Sequence, residues 1–143
     1  MPEYMKLGTH LKVKDFFKSL DFYLKLGFKP VFAYGDEQYL AKYAQNIPHA
    51  AERYRGMTFE IGGGPFEIAD GHVAVKPDVF KLRIESSKVS AMIDVDSIEK
   101  IINICERNGF EIAKGRVKYP WGTEELVVRD PDGFIIVFRE FSK

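Results

Sequence analysis

The hydrophobic and polar positions of the chain follow one pattern twice. The segments 13–28 (VKDFFKSLDFYLKLGF) and 95–110 (VDSIEKIINICERNGF) each begin at a valine, continue through apolar residues at helical spacing and end at Gly-Phe. The offset is constant at 82 residues, as from Val13 to Val95. A repeat constrains the architecture before any single element is assigned, and two copies are too few for a solenoid. The pattern therefore predicts one domain, residues 1–143, with an internal duplication.

Each copy is predicted to be a strand, a helix and about three strands, with the helix packed on one face of a sheet. Alternating apolar residues favour strands, and apolar residues three and four apart favour a helix. The predicted elements of the first module, about 1–84, are a strand over 5–13, a helix between the caps Asp15 and Gly27, a strand over 29–34, a hairpin over 55–71 and a crossover over 72–84.

Residues 36–55 interrupt this pattern. Their two halves, split by Pro48, contain alanines and are compatible with short helices, while extended structure stays an alternative. We interpret this segment as an insertion that could act as a flap over the rest of the module.

The second module, about 85–143, repeats the order of elements. Asp96 and Glu99 have the spacing of a capping box at the start of its helix. The sequence DPDG at 130–133 is typical of a turn between strands. The predicted elements are a strand over 88–95, a helix that ends at Gly109, and strands over 112–119, 123–130 and 134–141.

Composition and charge exclude several classes of protein. The chain has 21 Lys and Arg against 21 Asp and Glu, so it carries no basic footprint for nucleic acid. Its one cysteine, Cys105, cannot form an intrachain disulfide and lies on the apolar stripe of the second helix, which predicts a buried, inert thiol. No apolar run is long enough to cross a membrane. The chain is predicted to be soluble and cytoplasmic.

The motifs resemble those of the glyoxalase/bleomycin resistance/dioxygenase superfamily, also called the vicinal-oxygen-chelate fold. The resemblance is carried by KVKDFFKSLDFYLKLGF at 12–28 and by YPWGTEELVVRDPDGFIIVF at 119–138. It implies an α+β fold in which two βαβββ modules form a curved mixed sheet around a cleft. The PWG and DPDG motifs are closest to the bleomycin-resistance-like branch, whose members are usually homodimers.

The resemblance also locates the positions that bind metal in the metal-dependent branches. They fall on Gly8 and Glu67 in the first module and on Ser90 and Val137 in the second. Only Glu67 is a good ligand, whereas a catalytic metal needs about three protein ligands. The sequence therefore predicts no metal site and no cofactor. His10, two residues beyond Gly8, would become a second ligand if the strand register were shifted.

The sequence favours a metal-free protein that binds a small molecule in the cleft between the modules, as in bleomycin-resistance-like sequestration. The alternative is a lyase, isomerase or dioxygenase that uses a displaced metal site or a Glu67/His10 acid–base pair. An accessory module with a vestigial cleft is a third hypothesis. The PWG tryptophan could line the ligand groove or simply pack. The candidate ligand-binding residues are His10, Glu67, Met92, Asp94, Trp121, Val137 and Arg139.

Overall fold

The computed structural model describes residues 2–71 and 76–143, and the chain divides into two compact units, Met1–Leu82 and Arg83–Lys143. The first part of the predicted crossover, residues 72–75, lies outside the described residues. Among the described residues, no helix is both long enough and apolar enough to cross a membrane.

The elements of the first unit include two helices and one strand beyond the predicted repeat. In chain order the unit contains β1 (Thr9–Lys12), α1 (Phe16–Lys25), β2 (Lys29–Gly35), α2 (Glu37–Tyr43), β3 (His49–Ala51), β4 (Gly56–Ile61), β5 (Gly64–Ala69) and α3 (Pro77–Phe80). The second unit contains β6 (Ser90–Asp94), α4 (Ile98–Asn108), β7 (Glu111–Lys118), β8 (Thr123–Arg129) and β9 (Ile135–Phe141).

Both units have the same sheet topology. The strand order is β1-β5-β4-β2-β3 in the first and β6-β9-β8-β7 in the second, so the second sheet repeats the first four strands of the first sheet. In each, the opening strand runs parallel to the last strand, β1 beside β5 and β6 beside β9. The remaining repeat strands pair antiparallel. The α+β fold with two βαβββ modules is confirmed.

Helix α1 begins and packs as its sequence predicts. The Asp15 carboxylate accepts a hydrogen bond from the Lys18 amide, which satisfies one of the unpaired N–H groups of the first turn. The stripe of Phe16, Leu20 and Tyr23 is buried against the sheet. The Tyr23 ring centroid lies 4.9 Å from that of Phe66 on β5. Burial of each large side chain contributes about 1.5–3 kcal/mol to folding.

Helix α4 has the predicted end but a different start. The N-cap is Ser97, whose hydroxyl accepts from the Lys100 amide, so the capping box predicted from Asp96 is wrong by one residue. The Glu140 carboxylate on β9 accepts from the Ile98 amide, a long-range contact that local sequence does not reveal. Gly109 takes the left-handed conformation (φ 69°) that ends the helix.

Cys105 is buried on α4, as the sequence predicts. Burial raises the pKa of its thiol to about 11, which keeps it protonated and unreactive at neutral pH. The DPDG turn is also confirmed, because the Asp130 carboxylate accepts from the amides of Asp132 and Phe134.

The insertion 36–55 combines a helix with a strand. Its first half forms α2, capped by the Asp36 carboxylate, which accepts from the Tyr39 amide. Its second half is not helical, because β3 pairs parallel with β2, and the Pro48 carbonyl accepts from Ala33. The free edge of β2 offers backbone hydrogen bonds that a helix could not use, and this pairing outweighs a weak helical preference.

Strand β1 is shorter than the predicted 5–13. The register pairs Thr9 with Phe66, so the next pair toward the N-terminus would be Gly8 with Pro65. Proline has no N–H to donate, so the ladder cannot extend past this point.

Candidate functional site

Each sheet has one face that carries its helix and another that we call the far face. Because side chains alternate along a strand, paired residues of neighbouring strands share a face. On the far face of the first sheet, the register aligns His10 with Glu67 and Glu67 with Thr58, which places three polar side chains in one cross-strand row. We call His10, Thr58, Glu67, Lys12 and Tyr34 the polar cluster.

Glu67 is the centre of the polar cluster. Its Oε2 accepts from the Tyr34 hydroxyl at 2.7 Å, and its Oε1 accepts from the Thr58 hydroxyl at 2.9 Å. His10 Nε2 lies 2.9 Å from Oε2 and completes an ion pair when the imidazole is protonated. The Glu67 side chain is 25% exposed. Several hydrogen bonds to one carboxylate fix its orientation.

A glycine makes room for the tyrosine of the cluster. Tyr34 on β2 pairs with Gly56 on β4, and a Cβ at Gly56 would lie 2.0 Å from the Tyr34 ring. The ring therefore crosses β4 where there is no side chain, which lets its hydroxyl reach Glu67. A Cβ at Gly71 would lie 2.7 Å from the Cβ of Tyr54, whose ring centroid lies 5.7 Å from that of Tyr34.

The environment shifts the pKa of two members of the cluster. Burial raises the pKa of the Tyr34 phenol, and the hydrogen bond to Glu67 raises it further, so Tyr34 is a neutral donor at physiological pH. Partial burial lowers the pKa of Lys12, while the charge of Glu67 acts in the opposite direction. Lys12 Nζ lies 3.1 Å from His10 Nε2 and 3.3 Å from Nδ1, so a lysine and a histidine meet beside the carboxylate.

The far face of the second sheet is different at the corresponding positions. Met92, Val137 and Val127 form the row that matches His10, Glu67 and Thr58. The Met92 side chain is 59% exposed. The second sheet therefore presents an apolar row where the first sheet presents a polar one.

Asp94 and Arg139, two of the candidate ligand-binding residues, form an ion pair on the second sheet. Arg139 Nε donates to Asp94 Oδ1 at 2.8 Å, and the guanidinium lies 5.0 Å from the centre of the Phe141 ring. These two candidate residues therefore bind each other in the structure.

Trp121 lies in the turn between β7 and β8. Its ring stacks on that of Tyr119, with centroids 4.5 Å apart and an interplanar angle of 10°. The residue is still 68% exposed. The ring thus packs on one neighbour and keeps a large surface available, so both sequence-based interpretations of Trp121 stand.

Sequence reasoning missed Tyr34 and Thr58. A signal was present for Thr58, because it alternates with the core residues Met57 and Phe59 and so had to face the other side of the strand. Tyr34 is 33 residues from Glu67, and only the pairing of β2 with β4 brings the two together.

The register also moves the positions carried over from the metal-dependent branches. His10 rather than Gly8 lies beside Glu67, and Met92 rather than Ser90 lies beside Val137. His10 and Glu67 give two good donors, fewer than the three that a catalytic metal needs. Within 2–71 and 76–143, no group of three His, Cys, Asp or Glu side chains could hold a metal ion. The donor set does not fit a resident catalytic metal.

Comparison with known proteins identifies one superfamily. The sequence model of the Glyoxalase/Bleomycin resistance protein/Dioxygenase superfamily matches residues 8–138. No curated protein matches the sequence.

Several solved structures share the fold. The fosfomycin resistance protein FosX from Listeria monocytogenes is 14% identical, with a TM-score of 0.68 over 99% of this chain and 96% of that one. Glyoxalase I from Zea mays is 17% identical, with a TM-score of 0.69 over 96% of this chain and 45% of that one. A superfamily member from Sphaerobacter thermophilus is 23% identical, with a TM-score of 0.62 over 96% and 97% of the two chains. These likenesses show the fold alone.

Proposed function

Because the chain belongs to the glyoxalase/bleomycin resistance protein/dioxygenase superfamily, we propose that it binds a small organic molecule at the polar cluster, without a resident metal ion. The observation that carries this proposal is the carboxylate of Glu67 held by Tyr34, Thr58 and His10 on the far face of the first sheet. A few placed polar groups beside apolar walls are what small-molecule sites have in common. The similar structures belong to proteins with different functions, so the comparison does not identify the ligand.

The cluster supports a ligand with an acidic or carbonyl oxygen. Glu67 already accepts hydrogen bonds from two hydroxyl groups. Lys12 and His10 are the partly exposed members that can donate to a ligand. The aromatic rings of Phe32, Tyr34 and Tyr54 continue along the same region, with successive centroids 6.3 and 5.7 Å apart. We therefore propose an oxygen-containing head at Lys12 and His10 and an apolar body against these rings.

A thermal-shift screen in the presence of a chelator tests this proposal. A panel of small carboxylic and carbonyl compounds should contain at least one that raises the melting temperature with EDTA present. Lys12→Gln should abolish or weaken that shift. The matched control Lys18→Gln, an exposed lysine on α1, should leave it unchanged.

Elemental analysis supplies the contradicting outcome. If the purified protein keeps about one equivalent of a divalent ion after dialysis, and the ion is lost in Glu67→Gln, the metal-free proposal is wrong. If no compound of the panel shifts the melting temperature, the binding proposal fails and a vestigial site is favoured.

The contact between His10 and Glu67 favours a second candidate, metal-free acid–base catalysis. The Glu67 carboxylate holds the imidazole of His10 through Nε2, and an imidazole oriented in this way can exchange a proton with a substrate. Because Glu67 already accepts hydrogen bonds from two hydroxyl groups, His10 rather than Glu67 would exchange the proton with the substrate. Deuterium exchange at carbon next to a carbonyl group, followed by NMR, distinguishes this enzyme from a binder. Exchange that is catalytic in protein and lost in His10→Gln would favour the enzyme.

The homodimer is likewise a proposal, based on the family resemblance. Sedimentation of the full chain tests it directly.

A further inference from the structure

The first unit contains a cavity that lies apart from the polar cluster and is formed mainly by residues of the insertion 36–55. It has a volume of about 340 Å³ and is lined by residues of α1, α2 and the segment that enters β4. Helix α2 is part of the insertion and has no counterpart in the described second unit. None of the five residues of the polar cluster lines the cavity.

One wall of the cavity is aromatic. The ring of Phe17 lies 6.1 Å from that of Tyr39 and 5.7 Å from that of Tyr43, and the two tyrosine rings are 5.6 Å apart. Tyr39 is buried and its hydroxyl donates to the Gly56 carbonyl, so its ring has a fixed position. Phe17 is 40% exposed although it belongs to this cluster. The three rings provide a rigid apolar surface on which a planar ring can pack edge-on or offset.

Two cations border this wall. Arg55 binds Asp70 Oδ2 through Nε and Nη2, each at 2.8 Å, and its guanidinium lies 4.7 Å from the Phe17 ring centre. Lys42 Nζ lies 5.3 Å from the Tyr43 ring centre. Across 2–71 and 76–143, Lys42 has no carboxylate within ion-pair distance, and Arg55 Nη1 makes no hydrogen bond.

Asp36, the carboxylate among the residues that line the cavity, already accepts a hydrogen bond. Asp36 Oδ1 accepts from the Tyr39 amide at 2.9 Å and caps α2. Its charge disfavours a second anion beside it, so an anionic group would be directed to the side of Lys42 and Arg55. The positions of Asp36, Lys42 and Arg55 therefore favour an anionic ligand and also determine which way its charged group points.

We propose that this cavity is a second small-molecule site, which binds a planar aromatic carboxylate with its ring on Phe17 and Tyr43 and its carboxylate at Lys42 and Arg55. The volume is at the lower end of the range for ligand sites, about 300–1,000 Å³, and suits a single substituted ring. A cationic ring compound would meet Lys42 and Arg55 and is disfavoured. This inference does not depend on the function proposed for the polar cluster.

An NMR titration of the ¹⁵N-labelled full chain tests the proposal with three probes. Benzoate carries both the ring and the charge, benzylamine carries the ring with the opposite charge, and cyclohexanecarboxylate carries the charge without aromaticity. Benzoate should shift the amide signals of Glu37–Tyr43 and Arg55, with a dissociation constant of about 1 mM for so small a ligand. The other two probes should bind more weakly at the same signals.

Two variants separate charge from ring stacking. Lys42→Gln should weaken benzoate binding by about fivefold, as expected for an exposed ion pair. The matched change Lys29→Gln, on β2 and away from the cavity, should have no effect. Tyr43→Leu should reduce the preference for benzoate over cyclohexanecarboxylate.

The proposal is overturned if benzoate leaves the α2 signals unmoved, or if benzylamine binds there as well as benzoate does. It is also overturned if Lys42→Gln and Lys29→Gln bind benzoate equally. Circular dichroism and the unperturbed signals of Arg83–Lys143 verify that each variant is folded.

Discussion

The four repeat strands have the same order in both sheets, but the far faces of the two sheets have opposite chemistry. In the first sheet, His10, Glu67 and Thr58 form a hydrogen-bonded row. In the second, the corresponding row is Met92, Val137 and Val127. The helix-facing residues are apolar in both sheets because they form the two cores. The duplicated frame therefore depends on one face of each sheet, and the other face is free to diverge toward function.

Substitutions at Leu126 and Val127, neighbours on β8 that face opposite sides of the sheet, should show the largest difference in stability between the two faces. Leu126 faces α4 with 0% exposure, whereas Val127 faces the other way. Leu126→Ala should lower the free energy of unfolding by about 2–5 kcal/mol, because it removes buried contacts and leaves a cavity. Val127→Ala should cost less than about 1 kcal/mol. Urea denaturation measures both, and equal losses would contradict the assignment of the two faces.

A smaller loss of stability is expected from a substitution at Gly56, whose corresponding residue in the second sheet is Glu125. Gly56→Ala places a methyl group where the Tyr34 ring lies and should cost about 1–3 kcal/mol in unfolding free energy through overpacking. The control is Gly115→Ala, since a Cβ at Gly115 meets no atom within 4 Å. A stable Gly56→Ala protein that keeps the Tyr34–Glu67 hydrogen bond would show that the glycine is not needed for the contact.

Alkaline titration gives the same variant a second measurement. In the folded wild-type protein the pKa of Tyr34 is raised, so its contribution to stability is complete below the unfolded tyrosine value of about 10 and is lost as pH rises through the folded pKa. Displacing the ring from Glu67 should lower the pKa of Tyr34 toward its ordinary value. Tyrosinate absorbance should then appear at lower pH, and less stability should be lost at alkaline pH.

The smallest loss of stability is expected when Thr58 of the first sheet is replaced by valine, the residue at the corresponding position of the second sheet. Thr58→Val keeps the shape of the side chain but removes the hydroxyl that donates to Glu67, and should cost about 1 kcal/mol in unfolding free energy. The mirror change, Val127→Thr, adds a hydroxyl beside Val137, whose side chain cannot accept a hydrogen bond. If Thr58→Val is neutral, Thr58 does not help to hold Glu67.

Local features of the fold were predictable because short-range chemistry determines them. The Asp15 cap, the glycine stop at Gly109 and the Asp130 turn each involve groups a few residues apart. The sequence-based predictions were wrong where contacts between residues far apart in the chain determine the local structure. Ser97 rather than Asp96 caps α4, with Glu140 binding the same turn, and β3 is a strand because β2 has an edge to pair with.

The candidate site was predictable in part for the same reason. Glu67 was a candidate through the family resemblance and His10 through its place on the same strand face as Gly8, and the structure joins the two. Tyr34 could not be assigned to Glu67 from sequence, because their contact depends on the register of three strands and on the missing side chain of Gly56.

The sequence by itself determined the duplication, the α+β fold and the two helices with their buried stripes, because periodicity and capping are encoded within a few residues. Only the tertiary structure decided which polar side chains meet. That outcome depends on strand register, and a shift of one residue would turn every side chain of a strand to the other face.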